Sequence, residues 1–505
     1  MTTMTTGSDT LTRDALAVLQ PGFVGTTAPD WLLRRIGEGL ASVGLFGRNI
    51  VTAPQVAALT AQLRAERDDV LVAIDEEGGD VTRIEVRTGS SFPGNLALGA
   101  VDDLELTRGV ARELGRRLAE CGVNLNWAPS ADVNSNPDNP IIGVRAFGAD
   151  TALVARHTAA YIEGLQSAGV AACTKHFPGH GDTNVDSHHA MPRIDVDLDT
   201  LHKRELVPFR AAIAAGSKSV MSAHILLPAL DPARPATLSP RILTGLLREE
   251  LGYDGLIVSD AVEMQAIAGT VGIERGSVLA IAAGADALCV GGGLCDEGTV
   301  LRLRDALVQA VRDGELAEER LADAAARVRA LAAWAQRARG AGTGPGAAVQ
   351  EGTAPGTDSD IGLVAARRAA RVTAGPGWRP LEGAPYVATF TPVMNIAVSS
   401  ETPWSIGAEL GALLPGTESG TYGADGAAAD VLAAAGERRI VAVVRDEHRH
   451  PWMAAALDAL LAARPDTVVV EMGVPRAAPR GALHIATHGA ARVCGRAAAE
   501  AIAGV

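Results

Sequence analysis

Aromatic residues are scarce, at 3% of the 505 residues, so the cores must be built from Ala, Val, Leu and Ile. A basic excess is also missing. Lys and Arg number 45 against 59 Asp and Glu, a formal net charge of −14 at pH 7. Nucleic acid and anionic membrane surfaces call for basic patches, so neither is expected as the main partner. No stretch approaches the roughly 20 apolar residues that a membrane span requires. The N-terminal Met1 to Asp9 has neither a basic region nor an apolar one, so no signal peptide is expected there. Cysteine is sparse: Cys121, Cys173, Cys289, Cys295 and Cys494 are scattered, odd in number and without metal-ligand spacing. They read as buried free thiols in a reducing compartment, and the expected location is cytoplasmic.

What is present is a 47% hydrophobic content in short, regularly placed runs. Eight of them precede residue 340: Leu16–Val24, Ala41–Phe46, Val70–Asp75, Val123–Ala128, Val170–His176, Ser219–His224, Gly255–Asp260 and Asp286–Val290. Helical patterns fall between most of them, such as Leu104–Ala119, Thr151–Ser167, Leu206–Ala215 and Pro240–Leu251. Strands alternating with helices imply βαβ units on a parallel sheet. Eight units in about 340 residues fit a (β/α)8 TIM barrel with insertions over 1–340. An open doubly wound sheet is the alternative, but no Gly-x-Gly-x-x-Gly follows the first strand. Residues 341–360 are rich in Gly, Ala, Thr and Pro and read as a linker. Over 361–505, strands are expected at Tyr386–Thr391, Arg439–Arg445, Thr467–Met472 and Leu483–Thr487, with a helix at Trp452–Ala463. This pattern predicts a smaller open α/β sandwich domain.

Four polar clusters sit at the ends of four of the barrel strands. The densest is Lys175 to Pro192, KHFPGHGDTNVDSHHAMP, with four histidines, a lysine and two aspartates. The others are Asp75-Glu-Glu-Gly-Gly79 followed by Arg83, Asp132 to Gly148, and Ser259-Asp260-Ala-Val-Glu-Met264. A barrel keeps its chemistry on such loops, where the clusters converge on one mouth.

These motifs resemble glycoside hydrolase family 3, and within it the β-N-acetylglucosaminidase (NagZ-type) branch. The resemblance covers Gly22 to about Ala335 and rests most on Lys-His-Phe-Pro-Gly-His-Gly followed by Asp-Ser-His. Phe46-Gly-Arg-Asn-Ile50, Asn124-Leu-Asn-Trp-Ala-Pro129, Met221-Ser-Ala-His224 and Pro235-Ala-Thr-Leu-Ser-Pro240 agree in order and spacing. By this resemblance Asp260 is the nucleophile that forms a covalent glycosyl-enzyme with retention. His188 is the acid/base, its imidazole held by Asp186. Asp75, Arg83, Arg145, Lys175 and His176 match positions that bind the terminal sugar. The implied substrate is terminal β-linked N-acetylglucosamine on a cell-wall muropeptide or chitin fragment.

Two positions depart from the family pattern. Asp80 stands where an arginine is usual, and Ala261 follows the nucleophile where a second aspartate is common. Blander readings exist for single residues. Asp260 fits an N-cap of the next helix, Arg145 a salt-bridge partner of Asp132 or Asp138, His180 and His189 loop structure, and His224 a core histidine. His176, His180, His188 and His189 lack zinc-site spacing, so no metal and no other cofactor is expected. Two rival functions share the same residues: a phosphorylase releasing the sugar 1-phosphate, and a sugar-binding protein without turnover.

Overall fold

A computed structural model describes residues 3–183, 191–342, 360–392, 398, 401–424 and 426–505. Asp186, His188 and His189, and positions 343–359 of the expected linker, lie outside the described residues. The chain divides into two compact units. The first holds Met1–Glu76, Thr107–Ile142 and Ala149–Thr357, and the second Glu77–Leu106, Gly143–Gly148 and Asp358–Val505.

In the first unit all eight expected strands form: β1 Leu19–Pro21, β2 Ser42–Leu45, β3 Leu71–Ile74, β4 Leu125–Asn126, β5 Ala171–Phe177, β6 Ser219–Ser222, β7 Leu256–Ser259 and β8 Leu288–Val290. Strands β2 to β7 make one six-stranded parallel sheet in chain order, and β1 pairs with β8 in parallel. A parallel bridge between Val258 and Ala287 links β7 to the residue before β8. Every residue of these strands is buried. Parallel strands covered on both faces need continuous apolar runs, which is the pattern the sequence carries. Helices intervene, among them Ala53–Glu66, Thr151–Ser167, Leu206–Ala214 and Ile273–Ala283. Their starts are marked where a side chain accepts an otherwise unpaired amide: Thr52 from Gln55 N, Asp150 from Leu153 N.

The second unit is built on a six-stranded sheet: β9 Arg371–Ala374, β10 Tyr386–Phe390, β11 Glu418–Tyr422, β12 Ile440–Val444, β13 Val468–Glu471 and β14 Leu483–Ala486. The order is β11-β10-β12-β13-β14-β9, parallel except for β9, which runs antiparallel on the edge. Alternation along the strands splits the core in two. Val441, Val443, Val468 and Val470 pack with Leu363, Leu410 and Ala498 from one set of helices. Ile440, Ala442, Val444 and Val469 pack with Val431, Met453 and Leu457 from the other. Both faces are therefore covered by helices, an α/β sandwich.

Strands β9 and β11 were not expected. Both lie at sheet edges and carry no buried residue, so neither shows the apolar run that marks a central strand. Among the described residues, no helix is long and apolar enough to cross a membrane.

Candidate active site

The first unit brings Asp75, Lys175, His176 and Asp260 to the carboxyl ends of β3, β5 and β7. Lys175, 2% exposed, donates from Nζ to Asp75 Oδ1 at 2.5 Å. A buried ammonium this close to a half-buried carboxylate costs solvation that only a paired geometry repays. Charges on Lys175, Asp75 and Asp260 all act on the Cys173 thiol, which burial pushes up to about 12. All three groups therefore act electrostatically on one buried thiol of the sheet.

Asp260 directly follows β7. Its amide donates to the Ser222 carbonyl at 3.0 Å, and its Oδ1 accepts from Ala261 N at 2.8 Å. The next helix, Gln265–Ala268, has Met264 at its N-cap, so the capping role does not fall to Asp260. His224 takes part from the neighbouring strand end. Its Nε2 lies 3.0 Å from the Ala261 carbonyl, which can only accept, so Nε2 carries the proton. Its Nδ1 lies 2.9 Å from Thr237 Oγ1. The core histidine thus fixes the backbone beside Asp260.

Asp132 is the hub of the Lys175–Thr183 loop. It is fully buried and accepts from Ser130 Oγ at 2.9 Å, His176 Nδ1 at 2.7 Å, His176 N at 3.3 Å and His180 N at 2.7 Å. Burial works to raise its pKa, but the His176 charge and hydrogen bond, with His180, prevail and hold it at about 2. The carboxylate thus stays ionised and orients the His176 ring through Nδ1. His180 bonds to Thr183 Oγ1 at 2.8 Å, and its buried Nε2 has no partner among the described residues. Burial and the His176 charge push it down to about 4, so its ring is neutral.

The loop's two glycines have steric causes. A Cβ on Gly181 would run into the Val133 carbonyl. Gly179 has a φ of +127°, and a Cβ there would meet Glu205 Oε2 at 2.7 Å. Behind the loop, Arg204 donates to Asp182 Oδ2 and to Glu205 Oε1, both at 2.6 Å. Glu205 is 1% exposed, and burial raises its carboxyl to about 7.

Arg83 and Arg145 belong to the second unit. Both are buried, at 9% and 7% exposed. Arg145 forms a bidentate pair with Glu77, Nε to Oε2 at 3.0 Å and Nη2 to Oε1 at 2.7 Å. Sequence reasoning missed the hub role of Asp132 and the pairing of Glu77 with Arg145. The available signal was position: Asp132 and Glu77 each follow a strand end within a few residues.

Residues 33–331 match the model of the glycosyl hydrolase family 3 N-terminal domain. The chain is 36% identical over 332 residues to β-hexosaminidase A of Pseudoalteromonas piscicida, covering 61% of this chain and 55% of that protein. It thus spans about half the length of that relative. It is 38% identical over 258 residues to a β-hexosaminidase of Chromobacterium violaceum, covering 50% of this chain and 71% of the relative. Among solved structures it is similar to a glycoside hydrolase family 3 β-N-acetylglucosaminidase from Paenibacillus sp. str. FPU-7. That likeness has a TM-score of 0.86 at 35% identity and covers 98% of this chain and 96% of the other. With the family model spanning more than half its length, this chain is a member of glycoside hydrolase family 3.

Proposed function

We propose that the protein is a retaining exo-β-N-acetylglucosaminidase that removes terminal β-linked N-acetylglucosamine from cell-wall muropeptide or chitin fragments. The observation that carries this reading is the buried Lys175–Asp75 pair and Asp260, all at the carboxyl ends of strands of one parallel sheet. Family membership and the Paenibacillus β-N-acetylglucosaminidase support it. In this reading the two parallel sheets of the first unit belong to one (β/α)8 barrel.

Asp260 attacks the anomeric carbon while His188 protonates the leaving oxygen, which gives a covalent glycosyl-enzyme. His188 then takes a proton from water, which attacks the same carbon and releases the sugar with retained configuration. Asp186 orients the imidazole and raises its basicity. The assignment of Asp186 and His188 rests on the sequence motif. Asp75 and Lys175 offer an acceptor and donors to sugar hydroxyls, with His176, Arg83 and Arg145 as the further contacts. The chemistry needs no metal or cofactor. Five free cysteines fit action in the cytoplasm.

The test is release of an aryl group from an aryl β-N-acetylglucosaminide, with and without phosphate, beside the matching β-glucoside. Turnover of the first substrate, retained configuration and a loss of about 10⁴-fold in kcat for Asp260→Asn are expected. A sugar 1-phosphate product would instead establish a phosphorylase. Binding of N-acetylglucosamine with no turnover would leave a sugar-binding protein.

A further inference from the structure

Asp80 departs from its family pattern, and the second unit shows what the change is matched to. Asp80 lies in a tight turn. Gly78 and Gly79 both have positive φ, at 78° and 64°, and Glu77 N closes the turn on Val81 O at 3.0 Å. Its carboxylate is buried and fully engaged. Oδ2 forms an ion pair with Arg445 Nη2, and Oδ1 accepts from Ala490 N at 2.7 Å. Arg445 directly follows β12, is 5% exposed and is 365 residues away in sequence. Its guanidinium also lies over the Trp404 ring, 5.9 Å from the centroid.

The same turn is tied to both arginines proposed to bind the sugar. Three residues before Asp80, Glu77 holds Arg145 in a bidentate pair. Three residues after it comes Arg83. An arginine at position 80 would face Arg445 across a buried contact, so the acid at 80 and the base at 445 form a matched set. A buried pair of this kind adds little net stability, but it fixes geometry, because breaking it strands a charge.

We infer that Arg445 is a positioning residue for substrate binding: through Asp80 it fixes the Glu77–Arg83 turn and so the placement of Arg83 and Arg145. The inference rests on the reading that these two arginines bind the terminal sugar. It places a determinant of affinity after β12, in the part of the chain beyond the residues matched by the family model.

The test compares wild type, Arg445→Met, Arg445→Lys, Asp80→Asn and the Asp80→Asn/Arg445→Met double variant on an aryl β-N-acetylglucosaminide. Thermal melts accompany the kinetics. Displacing a binding group by a fraction of an ångström is expected to raise KM about tenfold in Arg445→Met while kcat changes less than about threefold. The double variant should be no worse than the worse single one, the mark of coupled residues. Arg445→Lys, which keeps the charge, should recover part of the loss and covers the case in which Arg445→Met does not fold. An unchanged KM in folded variants, kcat and KM losses that track the melting temperature, or additive effects in the double variant would overturn the inference while the enzyme reading stood. A wild type that neither turns over the glycoside nor binds N-acetylglucosamine by calorimetry would overturn both.

Discussion

Asp132 in the first unit and Glu471 in the second are two buried carboxylates near the ends of parallel strands, and each gathers backbone amides from a loop. Asp132 accepts the amides of His176 and His180. Glu471 accepts those of Asp446 at 2.9 Å, Gly473 at 2.6 Å and Glu447 at 3.3 Å. Glu471 has more amide donors, yet the two titrate in opposite directions. Asp132 is held at about 2, whereas burial and the negative charge of Asp446 push Glu471 up to about 8. The amide donors do not decide the matter; the sign of the neighbouring charge does. Asp132 faces imidazoles and remains an anion that can orient them. Glu471 faces another acid and holds a proton at neutral pH, so its role is to shape a loop.

Removing the hub is the strongest way to break this comparison. Asp132→Ala leaves the His176 ring and two buried amides without their acceptor. A loss of about 3–5 kcal/mol in stability is expected, with a fall of about 100-fold in kcat/KM because His176 is no longer oriented. Denaturant unfolding and steady-state kinetics measure the two. Glu471→Gln resembles the protonated native acid and should change kcat/KM at pH 7 less than about threefold. Equal activity losses from the two substitutions would mean that charge at the hub is irrelevant.

Much of this architecture was legible in the sequence, for a physical reason. A parallel strand buried on both faces must be apolar throughout, so β1 to β8 stood out as runs. Edge strands are under no such demand: Glu418–Tyr422 is mostly exposed and reads as a polar loop. The KHFPGHG motif marked the site, and its glycines prove to be steric necessities. The partners were not legible. Asp132 meets His176 across 44 residues and Arg145 meets Glu77 across 68, and no local period encodes either pairing. The substitution to Asp80 was visible as a departure, but the Arg445 that answers it is 365 residues away.

The protonated state of Glu471 has a signature in pH. Its folded pKa of about 8 lies above its ordinary 4.5, so the folded state keeps a proton that the unfolded chain has released. Stability from this group is therefore full below pH 4.5 and is lost as pH rises toward 8. Glu471→Gln removes that slope. Relative to wild type, the variant should gain on the order of a few kcal/mol between pH 5 and pH 9, read from denaturant midpoints across the range. A constant difference between the two proteins would show that Glu471 ionises normally.

His180 supplies the opposite and smaller slope. Its pKa falls from 6.5 to about 4, first through burial and then through the His176 charge, with Asp132 and Asp260 pulling the other way. Here the unfolded chain takes up a proton before the folded one does, so stability is full above pH 6.5 and is lost as pH falls toward 4. His180→Gln cannot protonate in that window. The variant should lose about 3 kcal/mol less than wild type between pH 7 and pH 4. The Asp132 window lies lower, between its ordinary 3.8 and about 2, so the two groups separate on a pH-resolved unfolding series. If both proteins lose stability in parallel from pH 7 to pH 4, His180 protonates inside the fold. Asp132 would then face a charged His180 ring, and the charge contrast between Asp132 and Glu471 would be larger still.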